Sequence, residues 1–472
     1  MTTAIVVGSG PNGLAAAVTL AHAGIRVRVL EAAPTIGGGT RSGEYTLPGL
    51  LHDECSGFHP LAVDSAFARA FDLEPYGLRW RWPEVQYAHP LDEGRGAAAW
   101  RSVEETARNL GQDGAAWHRL FGPLAEHFGA ITEDFTKPIL HLPQHPVKLA
   151  KFGLRAGMPA TLLAQRWSTA EARALFAGVA AHSFRPLGSL ASSAIGVALG
   201  TAAHAYGWPV AEGGSAAITT AMAALLAKHG GSIETNTTVS SLHQLAGADI
   251  IMLDTSPRAA AQIMGQRLPR RVARAYRRYR HGPAAYQVAF AVEGGIPWLY
   301  EPARRAGTVH LGGTVDELAA AEKEVWRGTM PQRPFVLLGQ QYLADPSRAA
   351  DGVVPIDAYA HVPANWNGDA TEAIESQIER YAPGFRARIV ARHIRSVAAV
   401  EVHNANYVGG DIVTGANQPL QLVFRPRIAL DPYFTGVDGV FLCSAATPPG
   451  AGAHGLCGYR AAQSALRRHG LR

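Results

Sequence analysis

The sequence predicts an α/β protein, in which a dinucleotide-binding Rossmann domain is interleaved with a mixed α+β substrate domain. Three observations carry this reading. A strand, a glycine turn, a helix and a second strand open the chain; the same α/β texture returns around residues 205–265; and a strand followed by a Pro/Gly-rich loop and a helix closes it. The intervening stretches have a different texture. At 472 residues, 47% apolar and 17% charged, the chain is long enough to bury more than one core and too apolar to be disordered. Its 51 glycines exceed the average share of roughly 7%.

Residues Ala4 to Val7 read as a short buried strand, Gly13 to Gly24 as a helix stopped by glycine, and Val27 to Glu31 as a second strand. Between the first strand and the helix stands Gly8-Ser9-Gly10-Pro11-Asn12-Gly13, a G-x-G-x-x-G pattern. Gly8 permits a tight turn, Gly10 lets backbone approach a pyrophosphate, and Gly13 allows helix and strand to pack closely, with the phosphates at the helix N-terminus. Glu31 and Ala32 end the second strand, where a carboxylate is suited to ribose hydroxyls. A second cluster, Gly37-Gly38-Gly39-Thr40-Arg41, offers backbone amides and a cation to a long cofactor. This favours FAD over NAD. Only one G-x-G-x-x-G occurs, and no Cys-x-x-Cys, so a second nucleotide domain and a disulfide reductase are not expected.

Residues 76–200 carry Trp- and Pro-containing segments and alanine-rich helical stretches such as Ser168 to Ala181, without a strand–helix rhythm. A helix from Ala216 to His229, a Gly230-Gly231 stop, a strand near Ile233 and a strand from Ile250 to Leu253 follow. Segments around Gln287 to Val292 and Phe335 to Gln340 suggest an antiparallel sheet, with a helix near Glu317 to Trp326 between them. The strand Gly439 to Cys443 leads into a last helix ending near Arg468. The expected division is 1–75, 205–265 and 401–472 in the nucleotide domain, and 76–204 and 266–400 in the substrate domain.

The segment from Phe441 to Tyr459, with its Pro449-Gly450-Ala451-Gly452 core, resembles the closing motif of the phytoene-desaturase-like FAD oxidoreductases. That family includes bacterial carotenoid desaturases, retinol saturase-like proteins and pyridine-nucleotide-disulfide-oxidoreductase-domain proteins. The Gly37–Arg41 cluster likewise resembles the extended fingerprint of the glutathione-reductase-like superfamily. Glu212-Gly213-Gly214-Ser215, the stretch Gly230 to Val239, Asn406 to Asp411, and Phe424-Arg425-Pro426 are similar to further family landmarks. The resemblance implies a glutathione-reductase-like FAD-binding domain. In it Ser444, Ala445, Gly452, Ala453 and His454 face the flavin, the main chain at Val239 meets adenine, and a helix starting near Gly455 aims its N-terminal dipole at the ring. Gln287 stands where relatives often carry lysine, so a lysine-held water is not carried over.

The activity this implies is hydride transfer from an apolar organic substrate to flavin, as a dehydrogenase or desaturase. A flavin-dependent isomerase or saturase, an FAD-binding interaction protein and an amine oxidase are the alternatives. His454 and His59 are the candidate acid/base groups, with His204 and Tyr206 behind them. Three cysteines, Cys55, Cys443 and Cys457, have no zinc-type spacing, so no metal site and a reducing, cytoplasmic setting are expected. No signal-peptide pattern and no apolar run of membrane-spanning length is read. The net charge of +5 includes seven arginines between Arg267 and Arg280, which suit a cationic amphipathic helix. Nucleic-acid binding is not inferred from it. Peripheral membrane contact through that run and homo-oligomerisation complete the expectations on partners, while the basic stretch Lys137 to Arg155 is read as a cover for the substrate mouth or as a surface helix.

Overall fold

The computed structural model describes residues 2–471. Its first sheet is parallel throughout and runs, edge to edge, Val440–Leu442, Ile250–Leu253, Thr3–Val7, Arg26–Leu30 and Ser232–Glu234. The beginning, middle and end of the chain thus meet in one sheet. Both faces are covered, which explains why Thr3–Val7 and Ile250–Leu253 read as continuous apolar runs rather than alternating ones.

The helix Pro11–His22 follows the first strand directly, with proline in its first turn where no N–H is needed. It is buried from Asn12 to Ala21 because the final helix, Leu456–Arg468, and the helix Ala216–Lys228 pack against it. Two glycines permit that closeness. A Cβ on Gly13 would lie 2.1 Å from the Gly8 carbonyl oxygen, and one on Gly458 would lie 1.7 Å from the Asn12 carbonyl oxygen.

A seven-stranded sheet forms the second layer, in the order Ile389–Arg395, Ala284–Glu293, Val353–Val362, Val336–Gly339, Ala306–Leu311, Val85–Pro90 and Gly96–Trp100. All its pairings are antiparallel except that of Ala306–Leu311 with Val85–Pro90. The antiparallel sheet expected around residues 287–340 is present, but the two segments named are not neighbours: Val353–Val362 lies between them. Residues 76–200 also differ from expectation, since they supply two strands of this sheet. Gly96-Ala97-Ala98-Ala99-Trp100 holds no β-branched residue, so its composition resembles a helix, yet it pairs as the edge strand with Val85–Pro90 and is buried by the helices packed against it. A helical layer including Gly114–Glu126, Ala170–Ala181 and Ser193–Ala205 covers that end of the sheet.

The arginine-rich run forms the helix Arg270–Arg278. Its Val272 and Tyr276 pack against Ile5, Leu253 and Leu442 of the five-stranded sheet, although the run was expected in the substrate domain. Among the described residues, no helix is long and apolar enough to cross a membrane, and no cluster of His, Cys, Asp and Glu has metal-binding geometry.

Candidate functional site

One cavity of about 1050 Å³ runs from the first helix of the parallel sheet to the space between the seven-stranded sheet and the helical layer. It exceeds the roughly 300–1,000 Å³ of most small-molecule sites. At one end it is walled by Gly8, Gly10, Pro11 and Asn12, by Glu31 and Ala32, and by Gly38, Gly39, Thr40 and Arg41. Val239, Ser444, Ala445, Gly452, Ala453 and His454 continue the same wall. The residues expected to touch cofactor therefore come together, with one exception. Gly13 stands behind the wall, where its N–H donates to Asp254 Oδ2 at 2.8 Å.

Gly10 precedes the helix with φ −68° and offers no side-chain cap, Pro11 has no N–H, and Asp254 takes the Gly13 N–H. The helix N-terminus thus faces the cavity with the Asn12 N–H and its partial positive charge available to an anion. Around it, three buried polar atoms lack a partner within the chain: Asn12 Oδ1, Arg41 Nε and Thr255 Oγ1. Unsatisfied groups of this kind are costly to bury, and they cluster where a pyrophosphate and two riboses would supply partners. The Glu31 carboxylate accepts the Ser9 N–H at 2.8 Å, the Ser9 hydroxyl at 2.6 Å and the Ala33 N–H at 2.9 Å, which fixes it at the end of its strand. The residues present fit a dinucleotide.

Asp254 was not singled out from sequence. It ends the strand Ile250–Leu253, lines the cavity, and is pushed up to about 7 by burial and by the neighbouring Glu31 charge. The only signal available was an acid at the C-terminal end of an apolar strand, where α/β sheets bind ligands.

His59 and His454 both line the cavity and are both buried. The Ser215 hydroxyl donates to the Ser56 carbonyl, so it accepts from His59 Nε2–H at 2.9 Å; this leaves Nδ1 as the lone-pair nitrogen. His454 Nδ1 accepts the Leu456 N–H at 3.1 Å, at the start of the final helix, and its proton therefore sits on Nε2. Burial lowers both imidazoles to about 4, so each is neutral at physiological pH. The candidate His204 does not reach the cavity. Its Nε2 accepts from Trp117 Nε1 at 2.9 Å inside the helical layer, whereas Tyr206 lines the wall. Cys443 and Cys457 are buried, and the Cys457 thiol is directed at the Thr447 and Gly450 carbonyls. Gln287 is buried in the central strand Ala284–Glu293 and is not part of the wall.

Beyond the nucleotide end the walls become apolar. Phe184, Ile195, Leu199, Trp208, Leu337 and Tyr359 converge from the helical layer and the sheet. His182 joins them, its Nε2 bonded to His310 Nε2 at 2.8 Å, as does Arg425, which lies on the loop before the closing strand. Arg425 belongs to the Phe424-Arg425-Pro426 landmark that the resemblance puts near the active-site cleft, whereas His182 was not singled out from sequence.

Comparison with known proteins agrees with this architecture. Residues 6–71 match the family model of an NAD(P)-binding Rossmann-like domain. A stretch of 173 residues is 29% identical to mouse (Mus musculus) pyridine nucleotide-disulfide oxidoreductase domain-containing protein 2, and is similar at 28% to the rat (Rattus norvegicus) protein. The match spans 34% of this chain and 30% of the length of each of those relatives. Solved structures share the fold over nearly the whole chain. Putrescine oxidase bound to putrescine is 18% identical with a TM-score of 0.61, covering 99% of both chains. An oxidoreductase from Methanosarcina mazei is 14% identical with a TM-score of 0.62, covering 99% of this chain and 100% of the other. Cyclohexylamine oxidase from Brevibacterium oxydans is 17% identical with a TM-score of 0.59, covering 99% of both.

Proposed function

We propose that the chain is an FAD-dependent oxidoreductase of the dehydrogenase or desaturase type, akin to the phytoene-desaturase-like enzymes, acting on a largely apolar organic substrate. The observation that carries this reading is the single cavity joining a dinucleotide cradle to an apolar chamber. Bound FAD would supply a two-electron hydride acceptor. The chain's own residues do the rest. Gly8, Gly10 and the N-terminus of Pro11–His22 receive the pyrophosphate; Glu31 faces a ribose; Arg41 adds a cation beside the glycine cluster. The final helix opens at Leu456 beside Gly452 and His454, so its N-terminal dipole favours negative charge at that point of the cavity. Phe184, Leu337 and Tyr359 exclude water and orient an apolar skeleton against the same point. His454 contributes a neutral Nε2–H and His59 a neutral Nδ1 lone pair, so neither places a charge in the chamber.

Oxidation of an amine, the chemistry named for putrescine oxidase and cyclohexylamine oxidase, has less support in this lining. Of its acids, Glu31 and Asp254 belong to the nucleotide end, and Asp64 and Glu133 are paired with Arg69. No free carboxylate is left in the apolar chamber to receive an ammonium group.

The test is purification followed by anaerobic titration. The protein is expected to carry FAD non-covalently, or to take it up, and substrate is expected to bleach the flavin. A colourless protein that stays colourless after incubation with FAD overturns the reading; bound FAD that no substrate reduces favours a binding role.

A further inference from the structure

Arg425 and Arg185 are buried guanidinium groups, 1% and 5% exposed, and no carboxylate lies within 4.0 Å of either. A buried charge without a counter-ion is among the costliest features a fold can retain. Both are held instead by one residue, Asn417. Arg425 Nη2 donates to Asn417 Oδ1 at 2.9 Å, Arg185 Nη1 donates to the Asn417 carbonyl at 2.7 Å, and Asn417 Nδ2 donates to the Ser183 carbonyl at 3.1 Å. Arg425 spends one further donor on the Ala445 carbonyl at 3.2 Å. Its Nε and that of Arg185 are buried with no partner in the chain.

Both neutral partners and carbonyls orient these groups, yet none balances their charge. Two other cations of the cavity differ: Arg41 stands 3.7 Å from Glu31, and Arg69 pairs with Asp64 and Glu133. Arg460 likewise has no carboxylate partner and is bonded to the Thr136 hydroxyl, but it is only partly buried. Arg425 and Asn417 line the chamber beside apolar Leu422, Ile412 and Phe184. The chamber is thus an apolar pocket with one cationic corner, built so that a planar, bidentate anion would complete it.

We propose that Arg425, supported by Arg185 through Asn417, binds a carboxylate on the substrate, so that the substrate is an amphipathic acid with an apolar body. The proposal rests on the oxidoreductase reading for the identity of the chamber, but its own test does not require turnover. Burial also pulls the Arg185 guanidinium below its ordinary value, in keeping with a charge that waits for a counter-ion.

Octanoate, 1-octanol and octylamine share one body and differ in head group. Each is titrated into the purified protein at pH 8 and followed by intrinsic tryptophan fluorescence, to which Trp208 of the chamber wall contributes, and by the visible spectrum where flavin is bound. Octanoate is expected to bind on the order of tenfold more tightly than octanol, with octylamine weakest. R425Q is expected to remove the preference and R425K to keep part of it; R185Q weakens it. Equal binding of octanoate and octanol by the wild-type protein overturns the proposal, and this arm needs no variant to fold. Preference retained in R425Q, with a changed spectrum of the photoreduced flavin, also overturns it, because the guanidinium then serves the reduced cofactor. A protein that binds no FAD but prefers octanoate fails the oxidoreductase reading and leaves this one standing.

Discussion

Asp254 Oδ2 accepts the N–H of Gly13 at 2.8 Å, tying the end of the strand Ile250–Leu253 to the first turn of the helix Pro11–His22. The same oxygen would lie 3.1 Å from a Cβ on Gly10, so this carboxyl closes the floor of the proposed pyrophosphate cradle.

A carboxyl in that position titrates against the ligand. Burial and Glu31 raise Asp254 to about 7, above the ordinary value of 3.8 that it regains on unfolding. Between those values the folded state binds more protons than the unfolded one, so the stability it contributes is present at low pH and is lost as pH rises through 7. D254N, whose amide oxygen still accepts from Gly13, is expected to melt higher than wild type at pH 8, with an upper bound on the order of 4 kcal/mol, and by a clearly smaller margin at pH 5. FAD affinity is expected to fall above pH 7 in wild type, and to stay flat in D254N. Thermal melts and fluorescence titration with FAD at both pH values check this.

Two of the fingerprint glycines do different work, and substitution separates them. A Cβ on Gly13 meets backbone at 2.1 Å, so G13A is expected to destabilise by at least the roughly 3 kcal/mol upper end of ordinary overpacking. Gly10 has an ordinary φ and its Cβ meets nothing closer than 3.1 Å. G10A is expected to fold with a nearly unchanged urea midpoint and to lose FAD, because its methyl group projects into the cradle.

A third expectation concerns a buried ion-pair network that ties residue 348 to segments distant in the chain. Arg348 is buried and donates to Asp53 at 2.6 Å, to Asp345 at 3.1 Å and to the Ala211 carbonyl at 2.8 Å. Burial opposes ionisation of Asp53, yet the Arg348 charge and the Ser215 N–H hold its carboxyl below the ordinary value. R348A leaves two buried carboxylates without their cation and is expected to cost about 3–5 kcal/mol in urea denaturation. The loss should narrow as pH falls toward the unfolded value of Asp53, where its carboxylate protonates and no longer needs the partner.

Much of the nucleotide end was legible because backbone demands it. Only glycine serves at Gly8, where φ is 102°, and at Gly13, and the strand–turn–helix context around them is local in sequence. The chamber was less legible. Arg425 stood out only as part of a family landmark and Arg185 not at all among 38 arginines; what sets both apart is the absence of a neighbouring acid, a property of packing that no spacing records. Asp254 meets Gly13 across 241 residues. The strand Gly96–Trp100 reads as helix because alanine has high helix propensity, and burial between layers overrides it.

The same distinction between composition and packing decides which basic segment should meet a membrane. On Arg270–Arg278 the apolar residues Val272 and Tyr276 are turned into the core, which leaves a charged face with nothing to insert into a bilayer. The segment from Lys137 to Arg155 is different. It carries Lys137, Lys148, Lys151 and Arg155 with no acid between residues 135 and 170, and it exposes Leu142 (92%), Leu154 (75%) and Val147. Cations beside protruding leucines match an anionic interface, where apolar burial and charge attraction act together. Our candidate for peripheral contact is therefore this segment. In flotation with vesicles of phosphatidylglycerol and phosphatidylcholine, L142S/L154S is expected to lose binding and R270S/R274S/R277S to retain most of it. Loss confined to the arginine variant would return the contact to the run at 267–280, and no flotation by wild type would remove it altogether.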